Sequence, residues 1–178
     1  MQDILVVIDM QKDFVDGALG TAEAAAIVPA VAARIEEAIA RGEQVYFTRD
    51  THQAEYLSTQ EGTRLPVIHC VEGTEGWEIV PALSEYTRGR QVVDKPTFGS
   101  TQLAAMLAFA HVQDPIRQIT LIGLCTDICV ISNALLLKAY LPEVPIVVDA
   151  ACCAGVTPES HRNALSAMKT CQIDVLHE

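Results

Sequence analysis

Basic residues are scarce in this chain: 12 Lys and Arg face 23 Asp and Glu across 178 residues, a formal charge of −11. That balance leaves no footprint for the phosphate backbone of nucleic acid or for an anionic membrane surface, so neither is expected as a partner. Runs of the roughly 18 to 20 apolar residues needed to span a bilayer are missing. A secretion signal is missing too, because Met1 leads within three residues, one of them acidic, into Ile4-Leu5-Val6-Val7-Ile8. A cytoplasmic location is the expectation. The six cysteines then read as reduced thiols rather than a disulfide framework, most of them small core hydrophobes. Internal repeats and low-complexity linkers are also lacking. With half its residues hydrophobic and one fifth charged, the chain has the composition of a globular protein, and its length suits a single domain over residues 1–178.

Short apolar, β-branched runs alternate with helical stretches. The strand candidates are Ile4–Ile8, Gln44–Thr48, Gln91–Asp94, Gln118–Ile122, Pro145–Val148 and Gln172–Leu176. Most are apolar throughout, which fits strands buried on both faces of a parallel sheet. Helices are expected from Pro29 to a Gly42 stop, and over Glu78–Tyr86, Ser100–Ala108, Asp127–Tyr140 and Pro158–Thr170. The pattern predicts an α/β fold: a three-layer α/β/α arrangement around a doubly wound, six-stranded parallel sheet. Ligands of such sheets bind beyond the carboxyl ends of the strands, where strand order reverses. Reactive residues should therefore cluster just after strands.

Three candidates do. Asp9 follows the first strand in Ile8-Asp9-Met10-Gln11-Lys12-Asp13-Phe14, where partial desolvation would raise its proton affinity and suit it to general-base work. Lys95 follows the third strand in Asp94-Lys95-Pro96-Thr97-Phe98 and could orient a carboxylate and stabilise a thiolate. Cys129 lies in Gly123-Leu124-Cys125-Thr126-Asp127-Ile128-Cys129-Val130, after the fourth strand and at the start of a helix. There the helix dipole favours a thiolate and free N–H groups can hold an oxyanion. Each taken singly has a plainer reading: a turn cap, a solvated lysine, a buried inert thiol.

Together with Asp149-Ala150-Ala151-Cys152, these pieces resemble the isochorismatase-like cysteine hydrolases, the family that includes the nicotinamidases. The resemblance spans most of the chain in family order. It implies Asp9, Lys95 and Cys129 as a catalytic triad. It also implies a cis peptide before Cys125, with the N–H groups of Cys125 and Cys129 forming an oxyanion hole. Phe14 matches one aromatic wall of the substrate pocket. The second wall, which nicotinamidases place shortly before their last metal-ligating histidine, has no counterpart in Leu65-Pro66-Val67-Ile68.

The long irregular stretch Asp50–Trp77 offers a second constellation: Asp50-Thr51-His52, then Glu61, then His69. Two imidazoles and two carboxylates suit Zn²⁺, with Mn²⁺ or Fe²⁺ as alternatives. Asp50 and His52, two apart at a strand end, point the same way. The resemblance supports Asp50, His52 and His69 directly and Glu61 more loosely. The plainer reading makes His52 a surface residue and His69 a packing one. His111, His161 and His177 read as a helix-end, a helix-surface and a terminal residue, and Cys152 and Cys153 as packing thiols beyond a strand.

The expected activity is hydrolysis of a small-molecule amide, nicotinamide foremost, through a thioester on Cys129, and the resemblance implies a homo-oligomer. The alternatives are a metal-independent hydrolase of the same group, acting on another amide, a ureido compound or a vinyl ether, and a catalytically idle binding or thiol-redox domain.

Overall fold

The structure is a computed structural model that describes all 178 residues. Its frame is one sheet of six strands: β1 (Gln2–Ile8), β2 (Gln44–Asp50), β3 (Gln91–Lys95), β4 (Ile116–Leu124), β5 (Ile146–Ala154) and β6 (Asp174–Leu176). Every pairing is parallel, and the spatial order is β3-β2-β1-β4-β5-β6. Order therefore reverses between β1 and β4, and the crevice where ligands bind in such folds opens at their carboxyl ends.

Helices α1 (Lys12–Val15), α2 (Ala22–Arg41), α3 (Gln60–Arg64), α4 (Pro81–Ser84), α5 (Thr101–Gln113), α6 (Ile131–Tyr140) and α7 (Pro158–Thr170) complete the chain. The two-residue period of β1 divides the core between the faces of the sheet. Ile4, Val6 and Ile8 pack with residues of α5, α6 and α7, whereas Leu5 and Val7 pack with residues of α2 and α4. Burying each such side chain is worth roughly 1.5–3 kcal/mol, so β1 is held from both faces and the residue after it is fixed in space. At the end of β4, Gly123 has φ +114°, and a Cβ there would lie 2.1 Å from the Ile8 carbonyl oxygen. Only glycine lets β4 lie this close to the end of β1.

Several expected boundaries differ. Pro29 does not open α2 but lies inside it, because Thr21 caps the helix eight residues earlier by accepting the Ala24 N–H, and the alanines that follow are strong helix formers. The helix expected over Glu78–Tyr86 is broken. Pro81 holds Val80 extended, so α4 starts only at Pro81, while Ile79 bridges to Gln11. The expected helix from Asp127 opens with a π-helical turn, Thr126–Val130, before α6. β5 runs on through Ala154, which places Cys152 and Cys153 within the strand. All six cysteines are free. No helix is long and apolar enough to cross a membrane.

Candidate active site

Three strand ends deliver three side chains to one buried point. Asp9 leaves β1 with φ +47°, Lys95 is the last residue of β3, and Cys129 sits in the π-helical turn after β4. All three are buried. Lys95 Nζ lies 2.7 Å from Asp9 Oδ2, 3.2 Å from Asp50 Oδ1 and 3.4 Å from Cys129 Sγ. It also donates to the Thr97 carbonyl at 3.2 Å. Asp9 Oδ1 accepts from Thr48 Oγ1 at 2.6 Å. Asp9 Oδ2 has only the lysine ion pair, whose alignment leaves that oxygen without a formed hydrogen bond.

The electrostatics follow from burial and from two carboxylates sharing one ammonium. Burial lifts the Asp9 carboxyl above the usual carboxylate range, Lys95 opposes, and the charge of Asp50 adds to the lift. Burial also lifts the Cys129 thiol well above its ordinary value, and the neighbouring Asp9 charge adds to that. For Lys95, burial works against the ammonium, but Asp9, Cys129 and Asp50 outweigh it and keep it protonated. Burial and the Asp9 charge thus oppose a Cys129 thiolate, while the Lys95 ammonium favours the charged forms of both side chains.

Asp50 ends β2 and faces both ways. Its Oδ1 meets Lys95, while its Oδ2 lies 2.9 Å from His52 Nε2 and 3.7 Å from His69 Nε2. Glu61, in the first turn of α3, brings Oε1 to 3.5 Å from His52 Nε2 and 3.8 Å from His69 Nε2. One ligand atom from each of Asp50, His52, Glu61 and His69 lies within 4.8 Å of the others. The donor set fits a divalent cation on two further observations. His52 Nε2 is buried and forms no aligned hydrogen bond. His69 Nδ1 lies 2.8 Å from the Val67 carbonyl, which can only accept, so the ring proton is on Nδ1 and the Nε2 lone pair faces the cluster. Without a cation, the Asp50 and Glu61 carboxylates overcome the effect of burial and lift the His52 imidazole to about 9.

Aromatic rings enclose the cluster. Phe14 stands 5.5 Å from the His69 ring, between centroids. Tyr56, fully buried, packs 4.5 Å from His52 and 4.9 Å from His69, and its hydroxyl donates to the Leu65 carbonyl at 2.9 Å. Nothing in the spacing of Tyr56 marks it beforehand. Trp77 donates from Nε1 to Thr51 Oγ1 and stacks under the Arg49 guanidinium at 3.5 Å. His161 departs from expectation: it is half-buried, and its Nδ1 lies 2.8 Å from Oγ1 of the buried Thr126, in the turn that carries Cys129. The histidine expected on a helix surface instead braces that turn, because Gly155 lets the start of α7 approach to where a Cβ would be 2.8 Å from His161 N. His111 accepts the Ile116 N–H and His177 pairs with Asp149, both at the ends of elements as expected. The peptide between Leu124 and Cys125 is cis.

Comparison with known proteins identifies the family. The isochorismatase domain family matches residues 3–177. A curated relative in Bacillus subtilis (strain 168), described as the uncharacterized isochorismatase family protein PncA, is 31% identical over 178 residues, covering 93% of each chain. Among solved structures, the nicotinamidase/pyrazinamidase PncA from Bacillus subtilis superposes with a TM-score of 0.84 at 29% identity, over 99% of this chain and 100% of that one. The pyrazinamidase of Pyrococcus horikoshii in complex with zinc gives 0.82 at 25% identity over 100% of both chains. With the matched region running from the first strand to the last, this chain belongs to the isochorismatase family and is a hydrolase.

Proposed function

We propose that the chain is a cysteine-dependent amidohydrolase whose substrate is nicotinamide, released as nicotinate and ammonia. The observation that carries this reading is the Lys95 ammonium, within 3.4 Å of Asp9, Asp50 and Cys129 at once. One cation thus joins a base, a thiol and the four-residue ligand cluster. A structural lysine needs none of these neighbours, and a redox cysteine pair needs neither Asp9 nor Lys95.

In this mechanism Asp9 takes the Cys129 proton, and the thiolate forms a bond to the amide carbon. The carbonyl oxygen gains the charge and is held by the N–H groups of Cys125 and Cys129. Asp9 then passes the proton to the amine as the C–N bond breaks, leaving a thioester and ammonia. Water gives a proton to Asp9 and adds to the thioester; the C–S bond breaks, the acid leaves, and Asp9 returns the proton to the sulfur. Lys95 keeps Asp9 and the thiolate charged and in place. Asp50, His52, Glu61 and His69 would hold the cation, Zn²⁺ by the resemblance to the zinc-bound pyrazinamidase. A cation held there would supply a Lewis acid for the ring nitrogen of the substrate and so help to orient it. Phe14, beside His69, packs against the ring. A homo-oligomer belongs to the same proposal and is tested by light scattering.

Ammonia release from nicotinamide by the purified protein tests the reading, with chelated protein and Cys129→Ala in parallel. Turnover lost in both supports it. Turnover that survives chelation transfers the assignment to a metal-independent hydrolase of the same family, and turnover that survives Cys129→Ala removes the nucleophile.

A further inference from the structure

Gln11 is fully buried, and both ends of its carboxamide are engaged. Its Oε1 accepts the Asp50 N–H at 2.7 Å, and its Nε2 donates to the Asp50 carbonyl at 2.8 Å and to the Trp77 carbonyl at 2.9 Å. These partners fix the orientation of the amide, since an N–H needs an oxygen and two carbonyls need the NH₂ group. The main-chain pairing of β1 with β2 runs to Val7 opposite Phe47, and the Asp9 N–H still reaches the Thr48 carbonyl at 3.3 Å. The chain then turns away from the sheet. From that point the Gln11 side chain serves as the missing strand: it engages both main-chain groups of Asp50 as a neighbouring residue in a ladder would.

Asp50 is the residue shared between the lysine and the ligand cluster, with Oδ1 on Lys95 and Oδ2 toward His52 and His69. Trp77 closes the segment that Asp50 opens, the segment that carries His52, Glu61 and His69. One side chain from the Asp9 turn thus fastens both ends of that segment.

We infer that Gln11 is a positioning residue that sets the orientation of the Asp50 carboxylate between the bound cation and Lys95. This rests on the proposed cation site at Asp50. Outer partners that orient a metal ligand typically govern metal affinity by 10- to 100-fold.

Zinc titration of chelated, dialysed protein against a competing chromophoric chelator tests it in four chains. Gln11→Glu keeps the size and the acceptor but sets a carboxylate oxygen against two carbonyls; Gln11→Met removes all three hydrogen bonds. Thr51→Val is the control, because it loses the bond from the Trp77 indole and the one to the Arg49 carbonyl, both next to Asp50, but leaves both main-chain groups of Asp50 held. Circular dichroism establishes which variants are folded. Zinc binding 10- to 100-fold weaker in the folded Gln11 variants, with Thr51→Val within about threefold of the unaltered chain, is the expected result. In the unaltered chain the Gln11 side-chain NH₂ resonances should shift when zinc binds. Folded Gln11 variants with unaltered zinc affinity, an equal loss in Thr51→Val, or NH₂ resonances that ignore zinc would each overturn the inference. An unaltered chain that binds no zinc would overturn the cation site itself, which separates that failure from the failure of Gln11.

Discussion

Replacing Lys95 by methionine keeps most of the side-chain volume and deletes the ammonium, with its charge and its bond to the Thr97 carbonyl, at a place with no solvent to take its part. The Lys95 side chain is 1% exposed, and those of its partners Asp9 and Asp50 are 0% and 3% exposed. At 2.7 Å and 3.2 Å the two attractions come to about 6 and about 5 kcal/mol with an effective dielectric constant near 20. Most of that is offset by the desolvation of the ammonium, which the variant no longer has to meet. What remains is the cost of leaving buried carboxylates unpaired, about 3–5 kcal/mol. For a chain of this length that corresponds to a fall in thermal midpoint of roughly 6–20 °C. The sign of the pH dependence follows from Asp9, whose carboxyl is already raised by burial. Without Lys95 it rises further, so between the unfolded and folded values the folded chain binds more protons than the unfolded one. Stability of Lys95→Met must therefore fall as pH rises through that window and recover below it. Urea denaturation of both chains after chelation, at pH 5 and pH 8, measures this. A loss below about 1 kcal/mol, or one that grows on acidification, would refute the account of Lys95 as the shared counter-charge.

Asp9→Asn should abolish turnover, since no base remains, while alkylation of Cys129 by iodoacetamide at alkaline pH should be undiminished, because the charge that opposes the thiolate is gone; slower alkylation would contradict this. Zinc should raise the thermal midpoint of the chelated protein, by the equivalent of about 2.7 kcal/mol at one hundred times its dissociation constant, and calorimetry should find no such rise in His52→Ala. His161→Ala leaves the buried Thr126 hydroxyl without its partner and should cost about 1–3 kcal/mol in urea denaturation; a surface histidine would cost nothing measurable. Gly123→Ala should fail to fold or lose several kcal/mol, since its Cβ would meet the Ile8 carbonyl.

The sheet was legible because its strands declare themselves: Leu5-Val6-Val7 and Leu121-Ile122 are buried on both faces, and a run apolar on both faces has few other places to go. Asp9, Lys95 and Cys129 were legible as candidates because each follows such a run, and a parallel sheet brings strand ends to one edge. Asp50 and His52 were legible for the same reason, with the period of a strand end aligning them. Boundaries set by competition between local signals were not. Pro29 reads as a helix start, yet Thr21 and the alanines win. Gln11, Tyr56 and His161 left no local mark. The bonds of Gln11 span 39 and 66 residues and that of His161 spans 35, so their roles exist only once the chain has folded. Hydrogen-bonding capacity is visible in a sequence; the group it will meet is not.

In the proposed mechanism an acyl group passes through the sulfur of Cys129. Nicotinamide turnover in the presence of hydroxylamine tests this step, because hydroxylamine intercepts a thioester and diverts the product from nicotinate to the hydroxamate. Hydroxamate and ammonia are expected from the unaltered enzyme and neither from Cys129→Ala. Ammonia from Cys129→Ala, or its release by the unaltered enzyme with no hydroxamate at any hydroxylamine concentration, would contradict it.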